Sequence, residues 1–185
     1  MLFALAPEVH TQLASRFEAG TIAKRYLAIV RGWPAESILV DYPLARLADD
    51  VAPGLLPGPA QSAITAVTRL ATAELDVRVD RYPSSRYALV SLVPTTGRRH
   101  QLRRHLAHLH HPIIGDTSYG TGRHNRLFRE RYGSHRLLLH ALTVEFEHPV
   151  TGARLRIVAP PPPDFAAVGA ALGYAAALTA TLAAP

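Results

Sequence analysis

The stretch TGRRHQLRRHLAHLHHPIIGD, residues 96–116, is where the pattern of the chain changes from strand to helix. Upstream of it, apolar and polar residues alternate with the period of two that is typical of a half-buried strand. Within residues 100–111 the leucines recur at spacings of three and four, which predicts one apolar face of a helix. Gly97 lies in the turn before this helix, and Pro112 ends it. The leucines of the predicted face are Leu102, Leu106 and Leu109.

On both sides of this helix the sequence predicts mainly strands. The stretch Thr21–Arg31 alternates so that Lys24 and Tyr26 share one face, and Gly32 follows its end. Strands that outnumber helices and a hairpin near the end favour an α+β fold over a doubly wound parallel one. The predicted strands are Leu2–Leu5, Thr21–Arg31, Ile38–Leu47, Ile64–Val79, Tyr87–Val93, Leu137–Phe146 and Leu155–Val158; further helices are predicted over Pro7–Gly20 and Asn125–Arg131, and a loop over Asp49–Pro59.

The positive charge of the chain is concentrated in one segment. The formal net charge is +6, from 19 Arg, one Lys and 14 acidic residues. Residues 97–136 hold nine Arg and seven of the ten His but only two acidic residues, so they carry the whole positive excess. This clustering points to a polyanionic partner, most simply a nucleic acid. The sequence contains no cysteine, which excludes disulfides, a thiolate nucleophile and zinc sites built on Cys.

The start of the predicted helix carries side chains that can bind phosphate. Arg98 and Arg99 lie where free backbone N–H groups already favour phosphate. Arg99 and Arg103 are four residues apart and share one helical face. Their guanidinium groups repel each other unless backbone phosphates or a buried carboxylate neutralise them. A solvated basic face is the alternative interpretation, and the residues alone leave both open.

Four stretches together resemble the RluA family of pseudouridine synthases: KRYLAIVRG at 24–32, the run at 96–116, Tyr119-Gly120, and RLLLHA at 136–141. The resemblance implies a curved, mostly antiparallel sheet with flanking helices. It also implies the isomerisation of uridine to pseudouridine in RNA without a metal or other cofactor. The run at 96–116 is most similar to that of a member acting on uridine 65 of tRNA, so tRNA is the expected partner.

The same resemblance assigns roles to eight residues. Tyr26 matches the active-site tyrosine of the family, which stacks near the uracil and is a candidate general base, a role for which a phenol with a reference pKa of about 10 needs help. Arg103 matches the arginine that pairs with the catalytic carboxylate. Leu102 is expected to lie against the base. The candidates for contacts with the RNA backbone are Arg98, Arg99, His100, Gln101 and Arg104.

The catalytic residue of the family is an Asp in the motif HRLD-x-x-TSG, and this motif does not occur in the 185 residues. The sequence therefore predicts an N-terminally truncated version of the fold that is inactive alone, either from a shortened gene model or as a non-catalytic RNA-binding relic. Asp116 is expected only in a turn. Arg103 is then expected to lack a carboxylate partner.

A metal-binding protein rich in histidine is a third interpretation. His105, His108 and His111 recur every three residues along the predicted helix. The helix contains no carboxylate and no HExxH motif, so we expect no metal site.

The C-terminal residues 165–185 are uncharged, and ten of these 21 residues are Ala. Alanine contributes little to membrane insertion, so a packed helix with a loose end is expected rather than a membrane span. We expect a catalytic domain over 1–165 and an Ala-rich helix or tail over 166–185. The start MLFALAPE lacks the basic region of a signal peptide. This start and the RNA substrate predict a cytoplasmic protein.

Overall fold

Strand β1 (Ala23–Arg31) runs through the middle of a single sheet, because four consecutive residues, 27–30, are buried on both of its faces. The computed structural model describes residues 3–47 and 58–183. All strand pairs of the six-stranded sheet are antiparallel, in the order β2-β3-β4-β1-β5-β6. The predicted α+β class is therefore confirmed. The other strands are β2 (Ser37–Asp41), β3 (Ile64–Leu75), β4 (Ser85–Pro94), β5 (Leu139–Glu147) and β6 (Arg154–Val158), and the helices are α1 (Pro7–Glu18), α2 (Gln101–His108), α3 (Gly122–Tyr132), α4 (Pro163–Ala171) and α5 (Ala175–Ala183).

Each face of the sheet packs on a different set of helices. Leu27 and Ile29 belong to a cluster that includes Phe128 of α3 and the apolar residues of α4 and α5. Ala28 and Val30 point the other way and pack with Leu102 and Leu106 of α2. This arrangement follows from the alternation of side chains along a strand. It also brings the start of α2 next to the N-terminal part of β1.

Helix α2 is shorter than the predicted 100–111 and ends at His108. His110 adopts a left-handed conformation, with φ of 61°, and its backbone N–H donates to the carbonyl of Ala107. The chain thus leaves the helix four residues before Pro112, because a left-handed residue cannot continue a right-handed helix.

Three predicted segments differ from the structure. Residues 3–5 form no strand, and Phe3 and Leu5 are 80% and 101% exposed, so the predicted buried strand over Leu2–Leu5 is wrong for these residues. The strand predicted over Ile38–Leu47 ends at Asp41, two residues before Pro43, which has no N–H for a strand ladder. The strand predicted over Ile64–Val79 ends at Leu75. Leu2 lies outside the described residues, and so does most of the loop predicted over Asp49–Pro59.

The Ala-rich tail forms two helices rather than one with a loose end. Gly173, with φ of +80°, separates α4 from α5. Phe165 and Tyr174 are buried with Leu178 in the cluster beneath β1. The boundary predicted between 165 and 166 falls within α4. None of the described helices has the length and apolarity to cross a bilayer.

Candidate active site

Tyr26 of β1 and Arg103 of α2 line one cavity of about 230 Å³, which we call the central cavity. Pro94, Leu102 and Leu139 supply apolar surface to it. Lys24, Arg98 and His100 add polar and cationic groups. Its volume is below the roughly 300 Å³ at which pockets for drug-sized molecules begin, so it suits a fragment such as a single nucleobase.

The backbone of β1 explains how Tyr26 reaches this cavity. Lys24 and Tyr26 are two residues apart on one face, as the sequence predicts, and both line the cavity. Ala28 and Val30, further along the same face of β1, are buried, whereas Lys24 and Tyr26 are only partly buried. The pairing of β1 with β5 shifts register between Arg25 and Tyr26, but the extra residue is Leu142 of β5, so β1 itself keeps its alternation.

Gln101 holds the turn that precedes α2. Its side chain is buried, with 4% exposed. Its Oε1 accepts from the Thr96 hydroxyl (2.8 Å) and from the Arg98 backbone N–H (2.9 Å). Its Nε2 donates to the Ile64 carbonyl and to the Thr65 hydroxyl, both at 3.0 Å. Both ends of the amide thus bond inside the protein, and Gln101 holds the turn in place.

The same network continues into the core through His105. Its Nε2 lies 3.0 Å from the Tyr42 carbonyl, which can only accept, so Nε2 carries the proton. Nδ1 of the neutral ring then accepts from the Thr65 hydroxyl at 3.0 Å. Burial lowers the pKa of His105, although the hydrogen bond to Tyr42 opposes this change. The neutral ring thus ties α2 to the start of β3.

Arg103 forms a bidentate ion pair with Asp116. Its Nε and Nη2 each donate to a different oxygen of the carboxylate at 2.8 Å. The Asp116 side chain is fully buried, and that of Arg103 is 16% exposed. The expectation that Arg103 lacks a carboxylate partner is therefore wrong. Sequence spacing could not show that the chain after α2 turns back towards the helix.

The turn that holds Asp116 is tightly built. Its Oδ1 also accepts from the backbone N–H groups of Ser118 and Tyr119, both at 2.9 Å. Burial would raise the pKa of Asp116, but the hydrogen bonds from Arg103 and these backbone groups lower it overall. Gly115, with φ of +83°, lies so close to the Arg136 carbonyl that a Cβ would be 1.9 Å from its oxygen. A fully buried, ionised carboxylate in such a turn holds Arg103 in a fixed orientation.

Tyr119 completes the surroundings of Arg103 and has no assigned role in the sequence prediction. The Arg103 guanidinium lies 5.0 Å from the centre of the Tyr119 ring. The Tyr119 hydroxyl is 3.2 Å from Nδ1 of His100. His100 adopts a left-handed conformation, with φ of 55°, which is uncommon for residues other than glycine and recurs at functional sites. Together these contacts fix the guanidinium on the cavity wall.

Burial shifts two titrations at the central cavity in opposite directions. It raises the pKa of Tyr26 and lowers the pKa of Lys24. Tyr26 is therefore a protonated phenol at neutral pH, which offers a ring face and an O–H donor. None of the described residues that line the cavity is a carboxylate.

A second, strongly basic cavity adjoins the central one at the turn of residues 97–98. It has a volume of about 220 Å³. Four arginines line it: Arg46, Arg98, Arg99 and Arg104. The Arg104 guanidinium donates to the Ala45 carbonyl at 2.8 Å, which brings the segment after β2 to this face. Arg46 is missing from the sequence prediction because nothing in its own neighbourhood along the chain marks it.

The predicted site residues thus fall into two adjacent groups. Tyr26, Arg98 and four residues of 100–103 line the central cavity. Arg99 and Arg104 line the basic cavity beside it. The roles of all of these residues stay predictions.

The three histidines 105, 108 and 111 do not converge on a common point. His108 stacks on the Tyr42 ring at 3.7 Å, while His105 is bonded to the Tyr42 carbonyl. His111 lies 2.9 Å from the Arg31 carbonyl through Nδ1. Among residues 3–47 and 58–183, no three His, Asp or Glu side chains are grouped as metal ligands.

A larger cavity of about 510 Å³, the distal cavity, lies near the opposite end of β1. Asp80 there pairs with Arg31 at 2.8 Å and with Nε2 of His124 at 3.1 Å. Nδ1 of His124 is 2.8 Å from the buried hydroxyl of Tyr87. None of the predicted site residues lines the distal cavity, so the central cavity is the stronger candidate site.

Comparisons with known proteins agree with the motifs. The profile of a family described as RNA pseudouridylate synthase matches residues 1–108. The tRNA pseudouridine synthase C of Vibrio parahaemolyticus is 46% identical over 157 residues, covering 84% of this chain and 64% of that protein. That of Salmonella typhimurium is 48% identical over 161 residues, covering 86% and 62%. The chain spans just under two thirds of the length of these curated relatives.

Solved structures support the fold. The human RNA Pseudouridylate Synthase Domain Containing 4 superposes with a TM-score of 0.65 and 26% identity, covering 91% of this chain and 69% of that one. The human RNA Pseudouridylate Synthase Domain Containing 1 gives the same TM-score at 23% identity, covering 86% and 62%.

Proposed function

The chain belongs to the RNA pseudouridylate synthase family, the RluA family that its motifs resemble, and from this membership we propose that it holds an extruded uridine of tRNA for isomerisation to pseudouridine. One observation carries the proposal. Tyr26 and Arg103, which come from distant parts of the chain, meet at a cavity that has apolar walls and a cationic rim. The Vibrio parahaemolyticus and Salmonella typhimurium relatives are tRNA pseudouridine synthases, and this supports tRNA as the substrate.

The proposed reaction rearranges the bonds within a single nucleotide. The bond between C1′ and N1 of uridine breaks, the base turns, and C1′ bonds to C5; C5 loses a proton and N1 gains one. Leu102 and Leu139 offer apolar contact to the planar base, and the Tyr26 ring can stack on it. Because burial raises the pKa of Tyr26, its phenol acts at neutral pH as a donor and a stacking surface.

Arg103 is proposed to act on the substrate while Asp116 holds it in place. A bidentate pair fixes the plane of the guanidinium, so its remaining N–H groups point in a defined direction. The chain then presents a pre-oriented cation to the reacting nucleotide. Pre-orientation of this kind lowers the cost of reorganisation during the reaction.

The arginines of the basic cavity are proposed to bind the RNA backbone. A base must leave its stack to enter the central cavity, which costs a few kcal/mol. Contacts of Arg46, Arg99 and Arg104 with phosphates offset that cost through counterion release. A tRNA substrate also supports a cytoplasmic location.

Two candidate functions differ in whether the protein supplies the group that attacks the nucleotide. The family resemblance assigns it to the Asp of HRLD-x-x-TSG, and the 185 residues do not contain that motif. Asp116 is too enclosed to replace it. A tRNA-binding protein without catalysis is therefore the second candidate function.

Release of tritium from tRNA labelled at C5 of uridine separates the two candidates. We expect the 185-residue chain to bind tRNA but to release no tritium. The same chain extended at its N-terminus by a segment that carries HRLD-x-x-TSG is expected to release it, and the Asp→Asn version of that segment is the control. A fusion that binds tRNA but releases nothing leaves only the second function. A chain that does not bind tRNA contradicts both.

Variants of the fusion test the division of roles. Arg103→Lys keeps the positive charge beside Asp116, so the fold persists while the bidentate geometry is lost. We expect it to abolish most tritium release and to leave tRNA affinity within about threefold. Arg99→Ala should weaken binding and reduce the salt slope by about one. Equal defects in both variants would contradict the assigned roles.

A further inference from the structure

Lys24 is the only lysine of the chain and lies between two cavities. One is the central cavity. The other, of about 450 Å³, lies on the far side of Lys24, and we call it the flanking cavity. Lys24 and Arg98 line both, together with the turn at Gly97. A ligand that enters both cavities must therefore pass these two cations.

The ammonium group of Lys24 is unusual because nothing within the described residues neutralises it. Lys24 is half-buried, and burial lowers its pKa. Over residues 3–47 and 58–183 its Nζ makes no hydrogen bond and no ion pair. The Lys24 Nζ lies 5.8 Å from the centre of the Phe17 ring. A half-buried cation without a counter-charge, placed on the wall of two cavities, suits an anion supplied by a ligand.

Phe17 gives the flanking cavity an aromatic wall. Its side chain is 39% exposed, and it belongs to α1, a helix with no buried residue. An exposed ring beside a cation is the combination with which proteins bind single-stranded nucleic acids, since bases stack on the ring and phosphates meet the cation. Glu18, which also lines this cavity, repels phosphate and favours the Lys24 side for it.

We propose that the flanking cavity binds the nucleotide adjacent to the extruded uridine, with its base on Phe17 and the phosphate that links the two nucleotides held by Lys24 and Arg98. This subsite rests on the proposed function, because it requires RNA with a uridine in the central cavity. It makes recognition depend on two consecutive nucleotides. The chemical class of the ligand is a single-stranded dinucleotide segment of RNA.

Salt-dependent binding separates the two contacts. Binding of an unmodified tRNA transcript to the 185-residue chain is measured by fluorescence anisotropy over a range of salt concentrations. Lys24→Met should lower the affinity roughly 10-fold and reduce the slope of log K against log salt by about one, whereas Lys24→Arg retains both. Phe17→Leu should lower the affinity by about 5- to 150-fold with an unchanged slope, and Phe17→Tyr retains it.

Matched controls come from outside the two cavities. Arg129→Gln removes an exposed cation of α3, and Tyr82→Leu removes an exposed ring at the distal cavity. Both should bind tRNA within twofold of the unmodified chain. Circular dichroism spectra check that each variant is folded.

The single lysine permits a direct footprint. Acetylation of Lys24 by acetic anhydride is followed by mass spectrometry, with the N-terminal amine as the internal reference. Saturating tRNA should slow the reaction of Lys24 at least 10-fold relative to that reference. The subsite is overturned if tRNA leaves the acetylation of Lys24 unchanged, or if the Phe17→Leu and Lys24→Met chains bind tRNA like the unmodified chain. In either case the proposed function still stands as long as Tyr26→Leu weakens binding. If Tyr26→Leu also binds normally, the proposed function fails, and the subsite fails with it.

Discussion

The ion pair between Arg103 and Asp116 is the contact whose removal the structure predicts most sharply. Asp116→Asn replaces one carboxylate oxygen with an NH₂ group that faces an N–H donor of Arg103. The amide oxygen can still accept from the backbone of Ser118 and Tyr119. The substitution thus breaks the pair, keeps the turn, and leaves the guanidinium without its counter-charge.

The burial of the pair sets the size of the effect. The Asp116 side chain is fully buried and that of Arg103 only 16% exposed. Removal of one partner from a buried pair costs about 3–5 kcal/mol of unfolding free energy. In the exposed pair of Arg136 and Asp164, a single nitrogen, Nη1, donates to both carboxylate oxygens, and the side chains are 36% and 58% exposed. Asp164→Asn should therefore cost at most about 1 kcal/mol.

Urea denaturation of the two variants and the unmodified chain measures this difference. The lowered pKa of Asp116 adds a second signature. Its contribution to stability is present above the ordinary carboxyl pKa and is lost as the pH falls through the lowered value. The difference between Asp116→Asn and the unmodified chain should thus shrink below about pH 4. Equal losses in the two Asn variants, or a gap that does not change with acid, would refute the reasoning.

Three further outcomes are expected. Gln101→Leu should lower the unfolding free energy by about 2–3 kcal/mol in urea titrations, because it leaves several buried donors and acceptors unpaired. His110→Gly should raise the unfolding free energy by about 1 kcal/mol, because glycine adopts the left-handed conformation without strain. His100→Gly relieves the same strain, but it should weaken tRNA binding because it removes the contact with Tyr119. Because burial lowers the pKa of His105, the neutral folded ring loses stability relative to the unfolded chain as the pH falls through about 6.5, and His105→Gln should flatten part of the decline measured between pH 7 and 5.

The sequence predicts those features that local spacing determines. Alternation in residues 21–31 places Lys24 and Tyr26 on one face, and the leucine spacing of 102–109 turns α2 towards the sheet; both are confirmed. The family motifs predict the fold class because they mark the ends of the elements that meet at the cavity.

Other features depend on how loops close in space, which spacing does not encode. Asp116 reaches Arg103 only because Gly115 takes a positive φ and Ser118 and Tyr119 fold over the carboxylate. Arg46 lines the basic cavity beside Arg104, although it lies far from α2 along the sequence. The apolar composition of residues 3–5 suggests burial, but no described strand pairs with them, so Phe3 and Leu5 stay exposed.

Photocrosslinking with a tRNA transcript that carries 4-thiouridine tests the central claim most directly, because it locates the base without requiring turnover. After irradiation and digestion, mass spectrometry identifies the crosslinked peptides of the 185-residue chain. We predict that the principal crosslink maps to Tyr26 or to the peptide that contains Leu102. Crosslinks confined to the distal cavity around Tyr82, or to the basic cavity around Arg46, would contradict the placement of the uracil between Tyr26 and Arg103.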